Sequence, residues 1–392
     1  MITLLLFAVA VAWVGHACVW VAVLNNLYAR PLPKGPLKVW RFATGATILA
    51  FPWLVLGPLG PYPLFDQPHE PGGGPLEHGL LAYAVACLAF GGLVFPLVTL
   101  HRALRKPPAC VVSEYTRTLD LWPELGEKLV GDGKGQSATR LPGNGVFKFD
   151  FTELTLALPG LPPAWDGLTI LFVSDLHFHG TPSRLYFERI IDELTAGPEP
   201  DLVCLGGDFV DTDAHRAWIG PLLGRLHAKE AKLAVLGNHD LYHDPARVRA
   251  ELAAAGCTVL GNGWQEIRVR GARCVAVGHE GPWVRPGPDL SGAPHPSEAF
   301  RLCVSHTPDN FYWGAAHGVG LMLSGHVHGG GIRVPVIGSI FVPSVYGRRF
   351  DCGVFAERGS VLVVGRGVSG KEPLRVRCNP QAIRITLVSA AS

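Results

Sequence analysis

The stretch Val173-Ser174-Asp175-Leu176-His177 contains the first of five short polar blocks that together decide the fold. The other four follow in the order Gly207-Asp208, Gly237-Asn238-His239-Asp240, Ser305-His306 and Gly325-His326-Val327-His328. Each block comes shortly after an apolar run, such as Leu168 to Ser174 before the first block. Buried parallel strands have continuous apolar sequences, and open α/β sheets place their chemistry where the strands end. The pattern therefore predicts an α/β domain with a polar site at the ends of its strands.

The side chains of these blocks are typical metal ligands. They offer carboxylates, imidazoles and an amide in greater number than one metal ion can use. Two ions about 3.5–4 Å apart that share one carboxylate would use all of them. Asp208 is the best candidate for the shared ligand, because a carboxylate has two oxygens and its charge offsets two cations. Mixed nitrogen and oxygen ligands suit manganese, iron or zinc better than calcium. The blocks thus predict a two-metal hydrolase, with manganese as the favoured ion.

The order of the blocks, D-x-H, G-D, G-N-H-D, H and G-H-x-H, resembles that of the calcineurin-like metallophosphoesterases from about Phe149 to the C-terminus. The resemblance implies a four-layer αββα sandwich. It also implies a ligand set for each ion: Asp175, His177, Asp208 and His328 for one, and Asp208, Asn238, His306 and His326 for the other.

The resemblance further implies how the reaction proceeds. A hydroxide between the ions attacks phosphorus in line, and His239 protonates the leaving oxygen or stabilises the transition state. Asp240 is expected to orient His239, although an Asp at this position can also cap the following turn.

The N-terminal third has the composition of a membrane region. Ile2 to Leu24, Phe42 to Gly60 and Gly79 to Leu100 carry no charged residue, and about 20 apolar residues are needed to cross a bilayer. We expect three transmembrane helices in residues 1–106. The alternative for the first segment is a cleaved signal peptide, but it lacks a basic start and is longer than a signal's apolar core.

Charges between these segments predict their orientation. The first loop holds Arg30, Lys34, Lys38 and Arg41, the second holds Asp66, Glu70 and Glu77, and Arg102, Arg105 and Lys106 follow the third segment. Basic loops remain cytoplasmic. This rule puts the N-terminus on the outer side of the inner cell membrane and the catalytic domain in the cytoplasm. The nine cysteines include no C-x-x-C pair, in agreement with a reducing compartment.

Residues 107–148 are rich in glycine and proline and are expected to form a flexible linker before a phosphoesterase domain at 149–392. Three features of that domain are candidates for substrate contacts. The loop 278–300 is long enough for a lid. Phe311-Tyr312-Trp313 is either core or a contact for an apolar ligand, and Arg348 and Arg349 either grip a second phosphate or form solvated surface.

Three functions compete at this stage. The favoured one is hydrolysis of a phosphodiester or pyrophosphate bond in a membrane-associated or lipid-linked substrate, since similar membrane-tethered enzymes include UDP-2,3-diacylglucosamine pyrophosphatases of lipid A synthesis. The second is a tethered phosphodiesterase or phosphatase for a soluble nucleotide or phosphoprotein. The third is a non-catalytic membrane scaffold, against which the complete ligand set argues. The expected partners are the phosphate ester and the bilayer, with no specific nucleic acid, and the oligomeric state stays open.

Overall fold

A computed structural model describes residues 2–59 and 75–390 of the chain. The chain divides into two compact units, one of Met1–Lys106 with Pro335–Gly338 and one of Pro107–Val334 with Ser339–Ser392. The acidic loop residues Asp66 and Glu70, on which part of the predicted orientation rests, lie outside the described residues.

The N-terminal unit is helical. Its helices are α1 Ile2–Tyr28, α2 Lys34–Leu59, α3 Pro75–Ala89 and α4 Phe95–Ala103, with a π-helical turn at Phe90–Val94 between the last two. Two described segments, Ile2–Tyr28 and His78–Ala103, are long and apolar enough to cross a membrane. The second predicted segment, 42–60, falls in α2 as far as Leu59, where the described residues end, so its crossing stays a prediction.

Small residues let helices of this unit approach each other closely. A Cβ on Gly15 of α1 would lie 1.9 Å from the carbonyl oxygen of Cys87 in α3, and a Cβ on Gly91 would lie 2.0 Å from that of Val11. Glycine at such contacts is typical of membrane helices, where close van der Waals packing drives association. His16 is part of the same packing, because its Nδ1 lies 2.9 Å from the hydroxyl of Tyr83 and its Nε2 3.1 Å from the carbonyl of Thr47.

The second unit is built on two large sheets. The first has seven strands in the order β1-β2-β15-β3-β4-β5-β6, and the second has six in the order β13-β14-β10-β9-β8-β7. The strands of the first sheet are β1 Val111–Asp120, β2 Lys148–Leu158, β3 Leu168–Val173, β4 Leu202–Leu205, β5 Ala231–Ala234, β6 Thr258–Val259 and β15 Gln381–Ser389. Those of the second are β7 Gly263–Val269, β8 Ala272–His279, β9 Phe300–Ser305, β10 Leu321–Ser324, β13 Gly353–Glu357 and β14 Ser360–Val364. Strands β11 Arg333–Val334 and β12 Gly338–Ser339 form a separate two-stranded sheet.

Alternating side chains of one strand reach two different cores, which explains the layers. In β3, Ile170 and Phe172 belong to the cluster that both sheets share, whereas Leu171 and Val173 pack with the helices. The helices of this unit are α5 Trp122–Leu125, α6 Gln136–Thr139, α7 Arg184–Thr195, α8 Ile219–Leu223, α9 Pro245–Ala254 and α10 Phe311–Ala316. Helices α7 to α9 cover the first sheet, and α10 packs on the outer face of the second. Because buried strands alternate their side chains between two faces, both faces need cover, and the predicted αββα sandwich is confirmed.

The expectation of a flexible linker over 107–148 is wrong. Strand β1 in this stretch pairs antiparallel with β2 along its length, and Leu121 and Leu129 are fully buried in the helix-facing core. The sequence of β1 conceals the strand, because it lies at the sheet edge with most side chains exposed and lacks the usual apolar alternation. Backbone pairing with β2, which residue patterns do not reveal, orders this segment.

Candidate metal centre

The two sheets bring the five polar blocks to one place. Asp175 and His177 follow β3, Asp208 follows β4, and Asn238 and His239 follow β5 in the first sheet. His306 follows β9, and His326 and His328 follow β10 in the second sheet. These strands run parallel within each sheet, so that their carboxyl ends lie on the same edge. The predicted ligands therefore come from both sheets of the sandwich.

Asp208 lies at the centre of this group. Its Oδ2 is 3.5 Å from His177 Nε2 on one side and 3.5 Å from His306 Nε2 on the other. Next to His177, His328 Nε2 lies 3.2 Å from His177 Nε2 and 3.8 Å from Asp175 Oδ1. Next to His306, Asn238 Oδ1 lies 3.0 Å from His306 Nε2. The side chains thus form two halves that meet at the Asp208 carboxylate.

Each half suits a divalent metal ion. Asp175, His177 and His328 place one donor atom each within 4.8 Å of one another, and so do Asp208, His306 and His326. His326 Nε2 is buried and has no hydrogen-bond partner among the described residues, which is costly for a polar atom unless an ion or water satisfies it. Imidazole nitrogens and carboxylate oxygens in this combination are ligands of first-row transition metals. The residues present therefore fit the divalent ions on which this kind of site depends.

The surroundings orient the imidazoles for ligation. His306 Nδ1 lies 2.8 Å from the carbonyl of Gly206, which can only accept, so His306 donates from Nδ1 and keeps the Nε2 lone pair free. His177 Nδ1 donates in the same way to Asp211 Oδ2 at 3.1 Å. Burial lowers the pKa of His177, but the carboxylates of Asp211, Asp208 and Asp175 raise it to about 9. Burial lowers the pKa of His326 and His328 well below the ordinary value, so these two imidazoles are neutral and able to act as ligands.

Gly237 must be a glycine because its backbone lies very close to the ligand side chains. A Cβ on Gly237 would lie 2.1 Å from Asp208 Oδ1 and 2.6 Å from a carbon of the His306 ring. Any side chain at this position would therefore displace the central carboxylate.

Asp211 is the site residue that sequence reasoning missed. Its Oδ1 accepts a hydrogen bond from His239 Nδ1, while its Oδ2 contacts His177. Burial would raise the pKa of the Asp211 carboxyl, but the charges and hydrogen bonds of these two imidazoles hold it far below its ordinary value. A second carboxylate three residues after the Gly207-Asp208 block was the available signal.

The expectation that Asp240 orients His239 is wrong. Both carboxylate oxygens of Asp240 accept backbone N–H groups, from Asp208 at 2.9 Å, Phe209 at 2.8 Å, Val210 at 3.0 Å and Gly237 at 2.8 Å. Asp240 is fully buried. Its physical role is to tie the loop after β4 to the loop after β5, which carry Asp208 and Asn238.

Other candidates for substrate contacts have structural partners. Arg349 donates to both carboxylate oxygens of Glu357, which also accepts from the hydroxyl of Tyr312. Phe311 is fully buried in the core of the second sheet, and Tyr312 and Trp313 pack against this core while partly buried. The loop 278–300, in contrast, brings Trp283 against His306 and His326.

Comparison with known proteins agrees with this geometry. Residues 168–330 match the family model of the calcineurin-like phosphoesterases. The phosphodiesterase YaeI of Escherichia coli is 33% identical over 229 residues, which cover 56% of this chain and 82% of YaeI. The metallophosphoesterase YkuE of Bacillus subtilis is 29% identical over 245 residues, or 61% of this chain and 85% of YkuE. A transmembrane protein with a metallophosphoesterase domain from Danio rerio is 24% identical over 273 residues, or 61% of this chain and 57% of that protein.

The chain belongs to the calcineurin-like phosphoesterase family. It is a metal-dependent hydrolase of phosphoric esters, and its apolar N-terminal helices together with the transmembrane relative indicate association with a membrane.

Proposed function

We propose that the protein hydrolyses phosphodiester or pyrophosphate bonds with two divalent metal ions, and that its substrate is lipid-linked. The central position of Asp208 carries the proposal, because one carboxylate lies 3.5 Å from an imidazole of each half of the site. One ion is assigned to Asp175, His177, Asp208 and His328, and the other to Asp208, Asn238, His306 and His326. Bound ions of this kind activate water at neutral pH and neutralise charge on the phosphoryl oxygens. Manganese is the ion we favour.

His239 is assigned the proton transfer. Its Nδ1 donates to Asp211, which leaves Nε2 as the nitrogen that exchanges a proton with the leaving oxygen. Its side chain is 18% exposed, whereas those of His177 and His306 are 1% and 0% exposed. His239 is therefore accessible from solvent, as is the ligand candidate His328 at 23% exposure.

The membrane region supports a lipid-linked substrate. The chain passes from the last apolar helix, which ends at Ala103, to strand β1, which begins at Val111. A connection this short keeps the phosphoesterase near a membrane that the helices cross, and tethering raises the effective concentration of substrates presented there. UDP-2,3-diacylglucosamine, a pyrophosphate with two acyl chains, is the first candidate.

A substrate panel tests this proposal on the full-length protein with added manganese. The panel contains UDP-2,3-diacylglucosamine, bis-p-nitrophenyl phosphate, a cyclic nucleotide and p-nitrophenyl phosphate. We expect the lipid and the aryl diester to be cleaved faster than the monoester, and a chelator to abolish both activities because the ions supply the activated water. The measurement is kcat/KM for each compound.

The outcomes of the panel separate the parts of the proposal. Preference for the monoester contradicts the diester and pyrophosphate assignment. Cleavage of the aryl diester without the lipid removes the lipid and leaves the chemistry. Cleavage of the cyclic nucleotide alone assigns a soluble substrate.

We also propose that the catalytic unit is cytoplasmic and the membrane is the inner membrane of the cell. Arg102 lies in the last turn of the last apolar helix, Arg105 and Lys106 follow it, and basic residues there remain inside. A tag at the C-terminus is expected to resist protease added to intact cells. If α2 also crosses the membrane, the chain has three spans, and a tag at the N-terminus is expected to be cleaved. Cleavage of the C-terminal tag from outside contradicts the cytoplasmic assignment.

A further inference from the structure

The indole of Trp283 forms one wall of the metal centre. Its ring centroid lies 4.7 Å from that of His326 and 5.5 Å from that of His306, with interplanar angles of 61° and 65°. Both imidazoles are buried, at 6% and 0% exposure, but Trp283 is only partly buried. Trp283 thus contacts both imidazoles of the second half of the site and is partly exposed to solvent.

The backbone around Trp283 is held in place on both sides. Asn262 donates from Nδ2 to the carbonyls of Val284 at 2.8 Å and Pro286 at 2.7 Å, and its Oδ1 accepts from the N–H of Glu280 at 2.6 Å. Asn310 Nδ2 donates to the carbonyl of Gly281 at 3.0 Å. The backbone on both sides of Trp283 is therefore fixed by contacts within the protein.

Glu280 connects this segment to the metal centre. Its buried carboxylate accepts from the backbone N–H of Leu236 at 2.7 Å and from the guanidinium of Arg249. Leu236 lies two residues before Asn238, in the loop that also carries His239. The same carboxylate thus fixes the Trp283 segment relative to the site loop, as a preorganised binding wall requires.

The contacts of Trp283 indicate that this residue helps to determine substrate specificity. We propose that Trp283 stacks against a planar aromatic or heterocyclic group, such as a nucleobase, on the phosphodiester or pyrophosphate substrate. An indole offers a broad π-face to a planar group, while the two imidazoles it touches are assigned to the metal. This inference rests on the proposed function and names the substrate class: nucleotide-containing esters, of which a UDP-linked lipid is one. Stacking of a base on an aromatic side chain changes binding by roughly 5- to 150-fold when the side chain is replaced by alanine.

The test compares two ligands that differ only in the base, uridine 5′-monophosphate and ribose 5-phosphate. Their inhibition constants are measured against bis-p-nitrophenyl phosphate with the full-length, manganese-loaded protein and its Trp283→Ala and Trp283→Phe variants. The wild type is expected to bind the nucleotide roughly 5- to 150-fold more tightly than the sugar phosphate. Trp283→Ala is expected to bring this ratio close to one, and Trp283→Phe to retain part of it.

Trp122→Ala is the matched control, because Trp122 is 37% exposed and stacks on Phe147, which is not a predicted ligand. It is expected to leave the ratio unchanged. A ratio of one in the wild type, or an unchanged ratio in Trp283→Ala, overturns the inference. The inference is also overturned if Trp283→Ala binds the nucleotide and the sugar phosphate equally less tightly and loses manganese. That result makes Trp283 a positioning residue for His306 and His326.

Binding of the same two ligands is also measured by calorimetry, which does not depend on turnover. If no diester is hydrolysed but the nucleotide still binds through Trp283, the proposed reaction fails and the stacking role stands. If diesters are hydrolysed and calorimetry shows no preference for the base, the stacking role fails and the proposed reaction stands.

Discussion

Asp208→Asn is expected to lose at least one of the two metal ions and to reduce turnover by at least about 100-fold. The substitution keeps the side-chain volume but removes the charge of the carboxylate whose Oδ2 lies 3.5 Å from an imidazole of each half of the site. Partners that only orient a metal ligand already contribute about 10- to 100-fold to affinity or activity, and a ligand shared by two ions contributes more. Elemental analysis of the purified protein measures the ion content, and bis-p-nitrophenyl phosphate measures the turnover.

Asp213→Asn provides the control for this experiment. Asp213 follows the same loop, but its side chain is 68% exposed and pairs with Arg216. This variant is expected to keep two ions and full activity, and circular dichroism shows whether both variants are folded. Two ions at full occupancy in Asp208→Asn would contradict the bridging role. A single ion at full occupancy in the wild type would contradict the two-metal assignment as a whole.

His239→Ala is expected to reduce turnover by about 10²- to 10⁴-fold on substrates with a poor leaving group, while ion content stays at the wild-type value. This range is the usual contribution of a general acid. The loss is expected to be much smaller for nitrophenyl esters, because nitrophenolate leaves with little help from a proton. The measurement is kcat for a series of diesters whose leaving groups differ in pKa.

Asp211→Asn is the matched variant for this series. The amide retains the size of the side chain but loses the charge that holds His239 Nδ1 and His177 Nδ1. We expect a loss of about 10- to 100-fold, the range for a partner that orients a functional imidazole. The dependence on leaving group should have the same direction as in His239→Ala. Loss of manganese from His239→Ala would make His239 a metal ligand, and an equal loss on all leaving groups would exclude proton transfer.

The sequence alone determined the class of fold and the set of groups that the structure brings together. Apolar runs such as Leu168 to Val173 have the composition of strands buried on both faces, and each functional block follows such a run. Parallel strands place their carboxyl ends along one edge of a sheet, so this order of blocks was enough to predict one polar site. Local composition likewise indicated the apolar helices, since the length of a membrane span is a property of consecutive residues.

Only the tertiary structure decided which partner each group has. Asp240 is adjacent to His239 in the chain, yet its carboxylate binds four backbone amides, and Asp211, 28 residues before His239, is the group that contacts the imidazole. Strand β1 and Trp283 show the same limit, because β1 is ordered by pairing with β2 and the indole is placed by contacts with distant segments. Hydrogen bonds and packing between residues far apart in the chain depend on where the backbone turns. Residue type and spacing determine which chemical groups are available. The partner of each group is set when the two sheets pack together.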